Sequence, residues 1–92
     1  MARLRVGSMV HYRLSQADID KIRDRAEELE KLEVSIWMGA YRPLDVVPVV
    51  VVKVWGESCL SGKAFLDGSF DLRLVSITEG SGPGYWEWPE EA

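Results

Sequence analysis

The stretch VVPVVVVKVW, residues 46–55, places seven valines among ten positions and constrains the fold more than any other segment. β-Branched side chains are stiff at χ1 and pack well on a pleated surface, so the stretch reads as a strand. It falls short of the roughly 20 apolar residues of a membrane-spanning helix, and Pro48 and Lys53 interrupt it. Strict alternation sends Val50, Val52 and Val54 to one face and Val49, Val51, Lys53 and Trp55 to the other. Both faces are therefore largely apolar, and each needs cover. A docked helix would cover the second face, or a second copy of the chain would, and the expectation is a homo-oligomer.

The neighbouring segments supply more strands. GSMVHYRL alternates, with Val10, Tyr12 and Leu14 on one face and Met9, His11 and Arg13 on the other. Val47–Trp55 is bounded by Gly56-Glu57-Ser58, Leu60–Leu66 by the hairpin signal Asp67-Gly68, and Phe70–Thr78 by EGSGPG. Tyr85–Trp88 would be a terminal strand, and Val34, Ile36 and Met38 suggest a short extra one. Between the first strand and the valine strand, Ser15 and Asp18 have the spacing of a capping box, and Ile19, Ile22, Ala26 and Leu29 recur at helical spacing. An amphipathic helix over about residues 16–32 follows, lying on the surface with one side docked. Short strands joined by tight turns predict a mainly β (α+β) single domain over residues 1–92. Its form is a small SH3-like antiparallel β-barrel of about five strands with one inserted helix.

Charge and cysteine usage exclude several functions. The net charge is −4, of which residues 16–33 contribute seven acids and four bases, or −3. An acidic chain is a poor coat for duplex nucleic acid, whose affinity comes from phosphate neutralisation, so no bulk nucleic acid partner is expected. A lone cysteine, Cys59, and a lone histidine, His11, give no zinc spacing and no internal disulfide, which fits a reducing cytoplasm. Neither a signal peptide nor a membrane segment is read. No catalytic constellation, metal site or cofactor motif emerges, so the chain reads as a binding protein rather than an enzyme.

The ending GSGPGYWEWPEEA brings Trp86 and Trp88 to the last residues. Two apart in a strand, they share a face, either sealing the barrel or forming a stacking platform for a flat heteroaromatic ring. The candidate ligand-binding residues are Trp86 and Trp88, with Tyr12 or Tyr41, for stacking, Arg13 and Arg42 for gripping phosphate, and His11 as a hydrogen-bond donor. The amides of Gly80, Ser81, Gly82 and Gly84 form a weak phosphate motif, since Pro83 removes a donor.

GSMVHY near the start, DVVPVVVVKVW in the middle, FLDG at the hairpin and GPGYWEWPE at the end resemble a group of small, mostly uncharacterised proteins of actinobacterial phages and prophages. Those chains share a Val-His-Tyr, a valine-rich strand and a closing Pro-Gly-x-Trp-x-Trp-Pro-Glu. Tyr85 and Glu87 depart from the small or polar residue and the histidine expected at those places. The resemblance implies a phage accessory protein in the cytoplasm of a bacterial host. By analogy of setting and size, its expected role is anti-defence: sequestration of a nucleotide-derived immune signal, a cyclic dinucleotide or ADP-ribose derivative, without cleavage. The alternative is an interaction module that docks a phage or host protein and binds no small molecule.

Overall fold

The computed structural model describes residues 3–32, 40–68 and 70–89. The chain runs β1 (Met9–Arg13), α1 (Gln16–Lys31), β2 (Val46–Val54), β3 (Cys59–Ala64), β4 (Leu72–Thr78) and β5 (Trp86–Glu87). The five strands form one antiparallel sheet in the order β4-β3-β2-β1-β5. A parallel bridge between Glu79 and Trp86 joins the residue after β4 to β5, curling the sheet into a small barrel. This is the predicted mainly β architecture with one helix inserted after the first strand. The proposed strand through Val34, Ile36 and Met38 lies outside the described residues.

The inward set is Val10, Tyr12 and Leu14 from β1 and the residue after it, Val47, Val49 and Val51 from β2, Leu60 and Ala64 from β3, Leu72, Leu74 and Ile77 from β4, and Trp86 from β5. Strand periodicity accounts for nearly all of these positions. It fails in β2, where a register shift between Val51 and Lys53 inserts an extra residue. Val54 therefore turns to pack against the core while Val52, Lys53 and Trp55 all face out. That corrects the alternation expected from sequence, since a bulge adds one residue to one strand and exchanges faces beyond it. A second shift, between Leu60 and Gly62, places Val75 and Ser76 opposite Ser61. Ser76 takes a positive φ of 52° there, and its N–H donates to Ser61 Oγ at 3.0 Å.

Two residues unusual in a central strand have local reasons. Pro48 pairs with His11 on one side, and on the other its carbonyl accepts the Phe65 N–H at 2.9 Å. A proline has no N–H to return that bond, so β3 stops pairing at Ala64 rather than continuing to Leu66. Gly62 lies where a Cβ would sit 2.5 Å from the Val50 carbonyl oxygen and 2.7 Å from Val49 Cγ1. Only glycine allows β2 and β3 to approach that closely.

The helix begins where its sequence said it would. Ser15 caps α1 in extended geometry, its Oγ accepts the Asp18 N–H, and the Asp18 carboxylate accepts the Ser15 N–H at 2.8 Å, completing the box. The same oxygen, Asp18 Oδ2, also accepts from Ser15 Oγ and from the Tyr12 hydroxyl. Asp18 is buried, and these donors tie the helix to the core face of β1. Asp18 and Ile22 are the buried residues of α1, both in its first half, so only that half docks.

Asp18→Ala leaves the Ser15 cap in place but removes the carboxylate half of the capping box and strands the Tyr12 hydroxyl in the core. The lost hydrogen bond from the Ser15 N–H is worth about 0.5–1.5 kcal/mol and an unsatisfied buried hydroxyl costs about 1–3 kcal/mol. We expect a loss of about 2–4 kcal/mol in urea denaturation. Adding Tyr12→Phe to this variant should recover part of that loss, because the orphaned hydroxyl is then gone.

Candidate functional site

β1 faces the core with alternate residues and solvent with the others. Its outward residues His11 and Arg13 come beside the end of the chain because β5 pairs with β1, His11 opposite Glu87 and Tyr12 opposite Trp86. On the other side of β1, Arg13 lies opposite Val46 of β2. A cleft of about 240 Å³ forms there, lined by His11, Arg13, Val46, Glu87 and Trp88.

Three of the residues expected at a ligand site therefore meet: His11, Arg13 and Trp88. The others are elsewhere. Tyr12 is buried, with its hydroxyl committed to Asp18, and cannot stack on a ligand. Trp86 is 0% exposed, and its indole N–H donates to the Ser58 carbonyl at 2.9 Å, so it fills the core. Tyr41 packs against the core and its hydroxyl accepts the Asp67 N–H. Arg42 is exposed outside the cleft, its backbone N–H bonded to Asp45 Oδ2 at 2.9 Å. Proximity in sequence to a candidate is thus a poor guide on a strand, where adjacent residues face opposite ways.

The two tail tryptophans have separate duties. Their rings meet edge to face, with centroids 5.5 Å apart and planes at 87°. Trp86 is the buried partner of this contact and Trp88 stays half-buried at the cleft wall. Edge-to-face contact is a favoured aromatic geometry, and it holds the Trp88 ring in place.

Glu87 is the member that sequence reasoning missed. Its Oε1 accepts a charge-assisted hydrogen bond from Arg13 Nη2, with both side chains about one-third exposed. The guanidinium expected to grip phosphate is thus already matched to a carboxylate, and the fixed charges of the cleft cancel. Hydrogen-bonded ion pairs of this kind bring geometric order as well as energy. Nothing local in the sequence pairs Glu87 with a residue 74 positions earlier.

The glycine-rich loop is built for the turn rather than for phosphate. Gly80 N–H donates to the Trp86 carbonyl at 2.9 Å and Gly84 N–H to the Arg13 carbonyl at 2.8 Å. Two of the four candidate amides are therefore taken by the backbone. Gly84 holds a φ of 85°, and a Cβ on Gly80 would come within 2.7 Å of the Tyr85 ring, so both positions favour glycine. A Cys59 and His11 pair is also ruled out by topology: Cys59 pairs with Thr78 on β4, His11 with Pro48 and Glu87, and β2 lies between.

Burial, and then the bond to Asp18, hold the Tyr12 phenol well above the ordinary tyrosine range. Above about pH 10 the unfolded chain releases the phenolic proton that the folded chain keeps, so Tyr12 makes stability fall as pH rises. Urea denaturation from about pH 8 to about pH 11 should show this slope, and Tyr12→Phe should flatten it. An unchanged slope in that variant would place the alkaline loss elsewhere.

No protein-family model, curated protein or solved structure matches the chain, so the geometry of the cleft carries the functional reading.

Proposed function

We propose that this chain is a non-enzymatic binding protein that captures a nucleotide-derived ligand in the cleft between β1 and β5. The observation that supports this reading most directly is the meeting of Trp88, His11 and Arg13 around one cavity. An indole held by its neighbour presents a stacking wall for a flat heteroaromatic ring. His11 and the Arg13–Glu87 pair supply donors and an acceptor for the ring's edge.

At about 240 Å³ the cleft is smaller than the roughly 300–1,000 Å³ of typical small-molecule sites. It suits one ring and its polar edge, with the rest of a cyclic dinucleotide or ADP-ribose derivative held outside. The resemblance to phage proteins sets this activity in an infected bacterial cell, where sequestering such a signal without cleaving it would blunt host defence. A second reading, docking of a phage or host protein with no small ligand, is favoured by the exposed apolar side chains Val52, Trp55, Phe65 and Val75 on the outer sheet face.

Native mass spectrometry after incubation with a mixture of cyclic dinucleotides and ADP-ribose derivatives tests the first reading. The expected result is retention of one intact nucleotide mass. Removing a stacked base contact is worth about 1–3 kcal/mol, so Trp88→Ala should weaken binding about 5- to 150-fold. His11→Ala, on the outer face and away from the core, should also weaken it without loss of fold. A folded wild-type protein that retains nothing, or variants that bind as tightly as the parent, would overturn the assignment.

A further inference from the structure

The barrel is closed at one end of its seam and open at the other. Glu79 bridges Trp86, and the Gly80 N–H donates to the Trp86 carbonyl, so the end of β4 is joined to β5. The start of β4 pairs with β3 alone. Which backbone groups this leaves over follows from the ladder. The Phe65 N–H points to β2, where it bonds the Pro48 carbonyl, so the N–H and C=O of Ala64 point the other way, to β4. Ala64 pairs with Leu72, and Gly62 with Leu74. Leu72 and Leu74 therefore bond β3, and the N–H and C=O groups of Asp71, Arg73 and Val75 point out of the open edge. Those three have no backbone partner among the described residues, and all three are exposed.

An unpaired strand edge is a template for a further strand, and the charges along this one select which. Arg73 stands directly opposite Lys63 of β3, both exposed, and neither has an ion pair among the described residues. Like charges in cross-strand register cost stability, so this row lacks an acid on its open side. Asp71 lies two residues earlier on the same outward face. When two copies of β4 meet antiparallel about a two-fold axis at Leu72, Asp71 of each lies directly opposite Arg73 of the other. These are residues whose backbone groups face the open edge, so each such pair also exchanges two hydrogen bonds. On the inner face the two Leu72 side chains align, and Phe70 of each copy aligns with Leu74 of the other. Neighbouring registers are worse. An axis at Arg73 sets arginine against arginine, one at Asp71 sets aspartate against aspartate, and one at Leu74 leaves Arg73 opposite Val75 with no acid.

We infer that this chain forms a two-fold dimer through its β4 edges, continuing the sheet of one copy into the other with an Asp71–Arg73 pair on each side of the axis. Each edge is used once, so the contact closes at two copies. The inference stands apart from the ligand reading, since neither Asp71 nor Arg73 lines the cleft.

Sedimentation velocity tests it on the wild type, on Asp71→Arg, on Arg73→Asp and on the exchange variant Asp71→Arg/Arg73→Asp, with circular dichroism to verify folding. The wild type should sediment as a dimer, and exchange of its Arg73 amide hydrogen should slow as protein concentration rises. Each single variant sets like charges against each other on both sides of the axis and should weaken the dimer at least about tenfold. The exchange variant, and an equal mixture of the two single variants, should dimerise again because opposite charges then face each other throughout. A dimer indifferent to the single variants, or an exchange variant that stays dissociated, would overturn the inference. So would a monomeric wild type, and a monomer with a protected Arg73 amide would show that the chain's own residues cover the edge.

Discussion

The seat of Trp86 is the contact on which the barrel depends. β5 is only two residues long, too short to hold a sheet edge by backbone bonds alone. Complete burial of an indole is worth roughly 4–6 kcal/mol as an upper bound, against roughly 5–15 kcal/mol for a whole domain. The Ser58 carbonyl accepts both the Trp86 indole N–H and the Glu79 N–H, so one backbone oxygen joins the start of β3, the end of β4 and the closing strand. Gly80 N–H then bonds the Trp86 carbonyl and completes the seam. Without that seat β5 would have little to keep it on β1, and the cleft beside it would lose Glu87 and Trp88.

β1 transmits this order to both the core and the cleft. Its inward residues Val10 and Tyr12 fill the barrel, and Tyr12 reaches on to Asp18 to anchor the first half of α1. Its outward residues His11 and Arg13 line the cleft, with Arg13 tied to Glu87. The strand pairs on both sides, with β2 and β5, so its outward side chains are held between two neighbours. Rigid elements position polar groups better than loops do, and the chemistry-bearing side chains here sit on strands or beside them.

Features set by local spacing were legible in the sequence. Ser15 and Asp18 announced the cap, and the helical stripe placed α1 within one residue of where it ends. Alternation in β1 already put Tyr12 on an apolar face with Val10 and Leu14, so its assignment to a ligand site ran against its own pattern. The division of labour between Trp86 and Trp88 was not legible, because it is decided by Ser58, 28 residues away, and by the early end of β5, which frees Trp88 from strand alternation. Nor was the bulge after Val51, since a run of valines looks alike in either register. Glu87 as the partner of Arg13 likewise required knowing which strand closes the barrel.

That ion pair changes what the cleft can select. An unpaired arginine would favour phosphate from any nucleotide and would do so through long-range attraction. With Glu87 on Arg13 the local charge cancels, and a phosphate entering the cleft meets a carboxylate as well as a guanidinium. The overall charge of −4 adds a further repulsion for polyanions. Discrimination under the proposed function therefore falls to the Trp88 ring and to donors and acceptors at the edge of a base. A site that reads a ring rather than its phosphates can hold an intact signal without the electrophilic assistance that hydrolysis of a phosphate bond demands, which is the property a sequestering protein needs.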